Sequence, residues 1–482
     1  FNNTTGNYNV GLGAYNLEFN TIGSCNVGIG YQSLNKNTTA SYNVAVGYQS
    51  LACNTIGENN VAIGVEAGKA IVDKCYNVFL GSYAGRYGNS HDKSVVIGFE
   101  ANGYGGGSSN VVIGCRAGFY NSGDRNIFIG SNANGAFAET TGSNNIGLGT
   151  SALYNLTTGN DNVAFGMNSM NVNTTGAFNV AIGNSSLKCN TIGKFNNAIG
   201  YGSLNDNTTG CYNVAVGHGA LSKNTTGSYN VAMGYDALKC NTTASSNIAI
   251  GYQALCKNTT GTCNVAVGHC SMTSNLTGSY NTGLGRQALM LNTIGCNNVA
   301  IGNSALQANT TGNFNTSIGS ASLALNTTGQ NNTSIGNFSL YSNTSGRDNV
   351  SVGLCALRVN TIGGFNTAIG RRALQANTTG GCNTAVGNSS LFANTTGIFN
   401  TAVGNSSSQC NTTGNYNTTL GSQSLMQNTT GGFNVALGKC AARAYTKDST
   451  IAIGFEAMCA NDVGLYNTAI GYQAMKNTNS AA

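Results

Sequence analysis

The chain repeats itself every seventeen residues. Residues 42–59 read YNVAVGYQSLACNTIGEN, and Asn60-Val61-Ala62-Ile63-Gly64 restarts the phrase begun at Asn43. With the Asn of Asn-Val-Ala-Ile-Gly as position 1, copies start at Asn9, Asn26, Asn43, Asn60 and Asn77. They continue through Asn145, Asn264 and Asn366 to Asn467, making 28 in all. The copies are seventeen residues long except those starting at Ser94, Asn110 and Asn434 (16 each) and at Asn126 (19). A fixed short period overrides the several globular domains that 482 residues would otherwise suggest. Each copy is one supersecondary unit that buries its apolar side chains only against its neighbours.

Within a copy, position 4 is usually Val, Ile or Leu, position 2 is usually Val, Ile or Thr, and position 3 is usually small. Val44-Ala45-Val46 and Val180-Ala181-Ile182 are examples. Period-two alternation marks a strand with one buried face. The expectation is that positions 2 and 4 face inward. Position 17 has the same parity, so Phe178, Phe195, Tyr212 and Tyr229 are expected to stack as a ladder inside. Leu at position 9 (Leu34, Leu51, Leu187, Leu255, Leu374) reads as the anchor of a second short strand. Val180, Ile182, Leu187 and Phe195 should then all be buried. Position 5 is Gly in every copy, from Gly13 to Gly471, which points to a conformation or close approach that a Cβ forbids. Positions 12–15, Asn-Thr-Thr-Gly or Asn-Thr-Ile-Gly, form a turn signal. The predicted fold is all-β, a parallel β-solenoid (β-roll) of about 28 coils, with successive coils about 4.8 Å apart.

The pattern divides the chain into regular coils over 1–59, irregular and charge-richer coils over 60–144, regular coils over 145–433 and less regular coils over 434–482. In the irregular stretch position 9 becomes Gly68, Gly85, Asn102, Gly118 and Asn134, and the Asn-Thr-Thr-Gly turn disappears. Charges gather there too, and binding residues favour irregular segments held on a rigid scaffold. Glu66, Lys69, Arg86, Lys93, Glu100, Arg116 and Arg125 are therefore the candidate recognition patch, against the plainer reading of diverged repeats with a solvated face.

Only 7% of residues are charged, so solvation rests on Asn, Thr, Ser and Gln. The net charge of +6 is spread thinly, without the basic run that would track a nucleic acid. No apolar stretch approaches the length of a membrane span. His occurs only at His91, His218 and His269, and no metalloprotease, phosphate-loop or Cys-x-x-Cys motif is present. Glu66, Glu100 and Glu456 share position 7 but never in adjacent coils, too sparse for a paired acid and base. The reading is a non-enzyme without a cofactor.

Sixteen cysteines suggest a disulfide framework, but bridging neighbouring coils needs Cys at nearly equivalent positions, and only Cys240 with Cys256 comes close. Mostly unbridged thiols are expected. Cys256, Cys263, His269 and Cys270 are the one metal-like cluster, but their positions around the coil differ and coincidence is the preferred reading. N-glycosylation sequons recur at Asn3, Asn37, Asn173, Asn207, Asn224, Asn241, Asn258, Asn309, Asn326, Asn377, Asn394, Asn411 and Asn428. Ile22, Ile56, Ile192, Ile294 and Ile362 destroy the sequon while keeping the turn, so a structural role for the Asn is favoured over glycan attachment.

The motif Asn-Val-Ala-Ile-Gly-Tyr-Gln-(Ser/Ala)-Leu with its Asn-Thr-Thr-Gly turn resembles the repeats of phage tail-fibre-like proteins. It is also similar to the coils of trimeric autotransporter adhesin heads. The resemblance implies a left-handed β-roll, commonly three chains side by side, displayed on a cell or virion surface for attachment. The functional expectation is a structural or adhesive fibre, extracellular or on a cell or virion surface. It would self-associate as a homotrimer or filament and engage a cell-surface receptor or glycan. Alternatives are a glycan- or ice-binding module using Thr ranks such as Thr38-Thr39, or a purely structural filament.

Overall fold

The computed structural model describes residues 2–477. Every coil contributes one three-residue strand at positions 2–4, and no helix occurs among the described residues. The chain divides into two compact units, residues 1–245 and 246–482. The first carries β1 (Val10–Leu12) to β14 (Val231–Met233), and the second β15 (Ile248–Ile250) to β28 (Thr468–Ile470). Within each unit successive strands pair in parallel with no register shift. Val44 lies against Val61 in the first unit and Thr367 against Thr384 in the second. The parallel β-solenoid read from the sequence is therefore the fold.

The strand is short because the rest of the coil turns continuously. Positions 7, 9 and 17 lie in the left-handed region, as in Gln49 (φ 51°), Leu51 (φ 48°) and Asn59 (φ 58°). The expected second strand at position 9 is absent, since a left-handed Leu cannot continue a ladder. Inter-coil bonding continues through the turns regardless: Thr38 N–H donates to Thr55 O at 3.0 Å and Leu51 N–H to Ala67 O at 3.0 Å. Position 5 behaves as its invariance requires. Gly217 has φ 127°, and a Cβ there would stand 2.6 Å from Gly234 O in the next coil.

The alternation is present but its inner face is the opposite one. Ala181 at position 3 is fully buried, while Ile182 and Phe195 are 36% and 41% exposed and Val180 is half-buried. Of the four side chains expected inside, only Leu187 is there. The aromatic ladder exists, with Phe178, Phe195, Tyr212 and Tyr229 stacked at 4.9–5.1 Å and nearly parallel, but on the outside. Two causes explain the reversal. Position 17 is left-handed (Phe195 φ 57°), so parity cannot be counted through it. Position 1 must face inward because its Asn bonds across the coil, and position 3 follows on the same face.

The interior is accordingly narrow and partly polar. Leu at position 9 and small residues at positions 3 and 8 fill the centre, flanked by two buried ladders of Asn at positions 1 and 12. Asn43 Nδ2 donates across its own coil to Gly57 O at 2.9 Å. At position 12, Asn54 Nδ2 donates to Gly57 O at 2.9 Å and to Asn37 Oδ1 at 3.2 Å. Buried amides are tolerated where they find partners, and Asn54 Oδ1, which faces Ile71 in place of a ladder Asn, is one of the few left without one. In the second unit Ser replaces Ala inside at Ser334 and Ser351, and the added hydroxyls bond to Ser322 (2.8 Å) and Ser339 (2.7 Å).

The irregular coils keep the backbone and exchange the filling. Phe79 and Phe128 occupy position 3, fully buried, where position 9 has shrunk to Gly85 and Asn134. A Cβ on Gly68 would meet Phe79 Cδ2 at 2.8 Å, and one on Gly118 would meet Val112 Cγ1 at 3.2 Å. Volume lost from one wall is thus returned from the other, as close packing demands. Near the end of the chain Tyr445 stands where position 12 normally holds Asn. It is fully buried, and its hydroxyl lies within hydrogen-bond distance of Asp448 O (3.0 Å) and Gly464 O (2.9 Å), its single proton serving one carbonyl at a time.

Candidate interaction surface

The inverted core of the irregular coils frees positions 10 to 12, just past the Leu site, to carry aromatic rings outward. Tyr87, Tyr104 and Tyr120 stack in succession at 4.6 and 5.2 Å, and Phe137 closes the row, meeting Tyr120 edge-on at 6.3 Å. Tyr87 and Tyr104 are about half exposed and Phe137 is 70% exposed. Five of the seven charged residues expected to form a recognition patch border this row. Glu66 holds Lys69 Nζ at 3.0 Å and pairs with Arg86 Nε. The Arg86 guanidinium lies over the rings of Tyr83 (4.6 Å) and Tyr87 (4.5 Å). Glu100 accepts from Arg116 Nε at 2.7 Å, which raises the guanidinium above its usual range, and Arg116 lies 5.7 Å over Phe119.

Lys93 and Arg125 are not part of this group. They occupy the position-17 corner, where Lys93 meets Asp92 at 3.7 Å and Arg125 Nε donates to Asn144 Oδ1 at 2.8 Å. The patch is therefore a set of paired charges framing an aromatic row. Charge counting missed the rings, although Arg86-Tyr87, Tyr104 and Phe119-Tyr120 stand in three successive copies, whereas regular coils carry an aromatic at these positions only singly, as at Tyr341 and Phe392.

Behind the row lies His91, fully buried against Phe79 (ring centroids 5.3 Å). Burial lowers its pKa from 6.5 to about 4, so it is a neutral core residue at physiological pH. Among the described residues no group of three metal-ligating side chains comes together, so Cys256, Cys263, His269 and Cys270 do not form one. His218 and His269 instead stack with Tyr201 (5.2 Å) and Tyr252 (5.0 Å) on the outer surface.

The sequon asparagines belong to the position-12 ladder. Asn37, Asn173, Asn207, Asn224, Asn241, Asn258, Asn309, Asn326, Asn377, Asn394, Asn411 and Asn428 are fully buried. Asn207 Nδ2, for example, donates to Asn190 Oδ1 (2.8 Å) and Gly210 O (3.0 Å). A glycan needs that same nitrogen, so the folded coil offers none for attachment. Asn3, in the first coil, is exposed. The two Thr of the turn also have separate duties. The first donates to the next coil, as Thr38 Oγ1 does to Thr55 O at 3.1 Å. The second faces solvent, which is why Ile56, 55% exposed, can replace it. A paired outward Thr rank at Thr38-Thr39 is thereby excluded.

The longest uniform surface is the outer strand face. Position 4 is apolar in all 28 coils, position 2 is Val, Ile or Thr in all but Asn197, and neither position carries a charge. Ile63, Ile199 and Ile369 on this face are 41–44% exposed. The fourteen strands of each unit present roughly 470 Å² of it, taking about 4.8 Å per coil and about 7 Å across the strand. These features define a β-solenoid repeat protein with an uncharged strand face and one aromatic, ion-paired segment. Comparison with protein-family models and with curated proteins returns no match.

Proposed function

We propose that the chain is a structural and adhesive surface fibre, extracellular or on a cell or virion, that self-associates and works through its periodic surface and not through catalysis. The observation that carries this reading is the outer strand face. A largely apolar, uncharged surface of several hundred Å² is at the level that marks an interaction site on a soluble protein, and repetition at a fixed spacing lets a second copy match it rank for rank. The aromatic row of the irregular coils supports a recognition role beside the structural one, since exposed aromatic and Arg side chains dominate binding surfaces. Weak contacts repeated along a fibre sum through effective concentration.

The test is sedimentation of the full chain against the triple variant Ile318→Lys, Ile335→Lys, Ile369→Lys, followed by binding of both to intact cells. Concentration-dependent assembly of the native chain, lost in the variant at unchanged circular dichroism, is the expected result. A native chain that stays monomeric at all concentrations overturns self-association. Assembly without cell binding reduces the reading to a structural filament.

A further inference from the structure

Position 7 is left-handed in the regular coils, yet the chain fills it with ordinary side chains: Gln49 (φ 51°), Ser185 (φ 58°), Gln253 (φ 52°) and Arg372 (φ 60°). Glycine is therefore not needed there for the backbone. Gly202 and Gly219 nevertheless occupy it in two successive coils (φ 61° and 66°), and no other copy has Gly at this position. Their effect is space. Nothing lies within 4 Å of a Cβ built on Gly202, and one built on Gly219 meets only the carboxylate of Asp236, at 2.5 Å from Oδ1. The result is a notch of about 200 Å³ walled by Tyr201 and His218, with Asn205 and Ser222 on its border and Asp236 at one end.

Asp236 is only 5% exposed. Its Oδ2 accepts from Lys239 Nζ at 3.0 Å, whereas its buried Oδ1, turned into the space above Gly219, has no hydrogen-bond partner. A buried acceptor left unmet is unfavourable, so the notch ends in an atom open to a donor from outside the chain. The charges around it are already matched, Asp236 by Lys239 and Asp206 by Lys223 at 3.1 Å. A cationic or anionic ligand would bring a charge without a counterpart. A neutral hydroxyl group suits the site better, because it donates to Oδ1 while accepting from Asn205 or Ser222. The ring edges of Tyr201 and His218 offer an apolar wall for C–H groups. At about 200 Å³ the notch is smaller than the ~300–1,000 Å³ pockets that enclose drug-sized ligands, so it takes one ring.

We propose that this notch binds a neutral polyhydroxylated ring, a single hexose unit, anchored by a hydroxyl donating to Asp236 Oδ1. The inference does not rest on the fibre reading and stands or falls separately from it. The test uses the full chain and methyl glycosides of glucose, galactose and mannose, followed by saturation-transfer NMR. Two variants accompany it. Gly202→Gln fills the notch with a side chain that other coils already carry in this conformation, and Asp236→Ala removes the acceptor. Binding of at least one glycoside by the native chain, weakened at least tenfold in both variants at unchanged melting temperature, is expected. Capture of a hexose-ended polysaccharide, competed by that glycoside, assigns the ligand to a glycan end, and glycoside binding alone assigns it to free sugar. Failure of all three glycosides to bind, equal binding by the native chain and Gly202→Gln, or preferential binding of methylammonium overturns the proposal.

Discussion

Asn43 Oδ1 accepts from both the backbone N–H (2.9 Å) and the side-chain Nδ2 (3.1 Å) of Asn60, its equivalent one coil later. The same pair of bonds links Asn196 to Asn213 at 3.0 and 3.2 Å. Each position-1 amide thus ties two coils together through one oxygen and closes its own coil through its nitrogen. That dual duty explains an interior built on Asn in a chain with few charges.

Asn196→Leu should therefore destabilise far more than its similar size suggests. It leaves the Asn213 N–H buried without a partner and reduces Gly210 O to its one remaining bond, from Asn207 Nδ2. At about 1–3 kcal/mol for an orphaned group, with one bond to Gly210 O lost besides, the expected loss is about 2 kcal/mol, read as a lower denaturant midpoint. Asn196→Asp should be worse near neutral pH, because it buries a charge facing the Gly210 carbonyl. A loss below about 1 kcal/mol for both variants would show that the ladder is ornamental.

Gly217 and Thr226 make a contrast within one coil. Gly217→Val places a branched side chain at φ 127°, with its Cβ 2.6 Å from the Gly234 carbonyl, and should cost more than about 2 kcal/mol. Thr226 is exposed at position 14, where other coils carry Ile, so Thr226→Ile should change stability by less than about 0.5 kcal/mol. Equal melting temperatures for the two variants would remove the steric account of the invariant Gly.

The period, the parallel stack and the special role of position 5 were legible because they depend on spacing alone. The inner face was not. Val180 and Ile182 are larger and more apolar than Ala181, and the usual rule places them inside. The choice instead turns on Asn179 and its bonds to Gly193 O, which exists only once the coil is closed, and to Asn162 Oδ1, which exists only once coils are stacked. The irregular stretch was recognisable from its charges and its missing Leu, but the compensating Phe79 and Phe128 acquire meaning only when position 3 is known to face inward. The notch at Gly202 and Gly219 was hidden for a similar reason, since glycine in a glycine-rich chain attracts no notice until its neighbours are seen to manage without it.

His91 should make the irregular coils sensitive to acid. Its folded pKa is lowered from 6.5 to about 4 by burial, so between those values the unfolded state binds more protons than the folded one. Stability is then fully present above about pH 6.5 and falls as pH drops toward 4, by up to about 3 kcal/mol. Hydrogen exchange of Val78–Leu80 and Val95–Ile97 should accelerate over that window relative to the same strands in His91→Leu. Parallel pH profiles for the native chain and the variant would mean that the imidazole does not govern this segment.

Phe79 and Gly85 offer the sharpest test of the exchanged core. A Cβ on Gly85 would fall inside the contact radius of the Phe79 ring, so the two positions share one volume. Phe79→Ala alone should cost about 3–5 kcal/mol by opening a cavity. Gly85→Leu alone should also destabilise, because a second large side chain cannot enter an occupied site. Together they recreate the Ala-and-Leu filling of a regular coil, such as Ala181 with Leu187. The double variant should recover more than half of the combined loss, a coupling of at least about 2 kcal/mol in a double-mutant cycle. Additive losses would mean that the irregular coils do not trade volume between walls, and the link between their inverted core and the aromatic row outside it would fail with it.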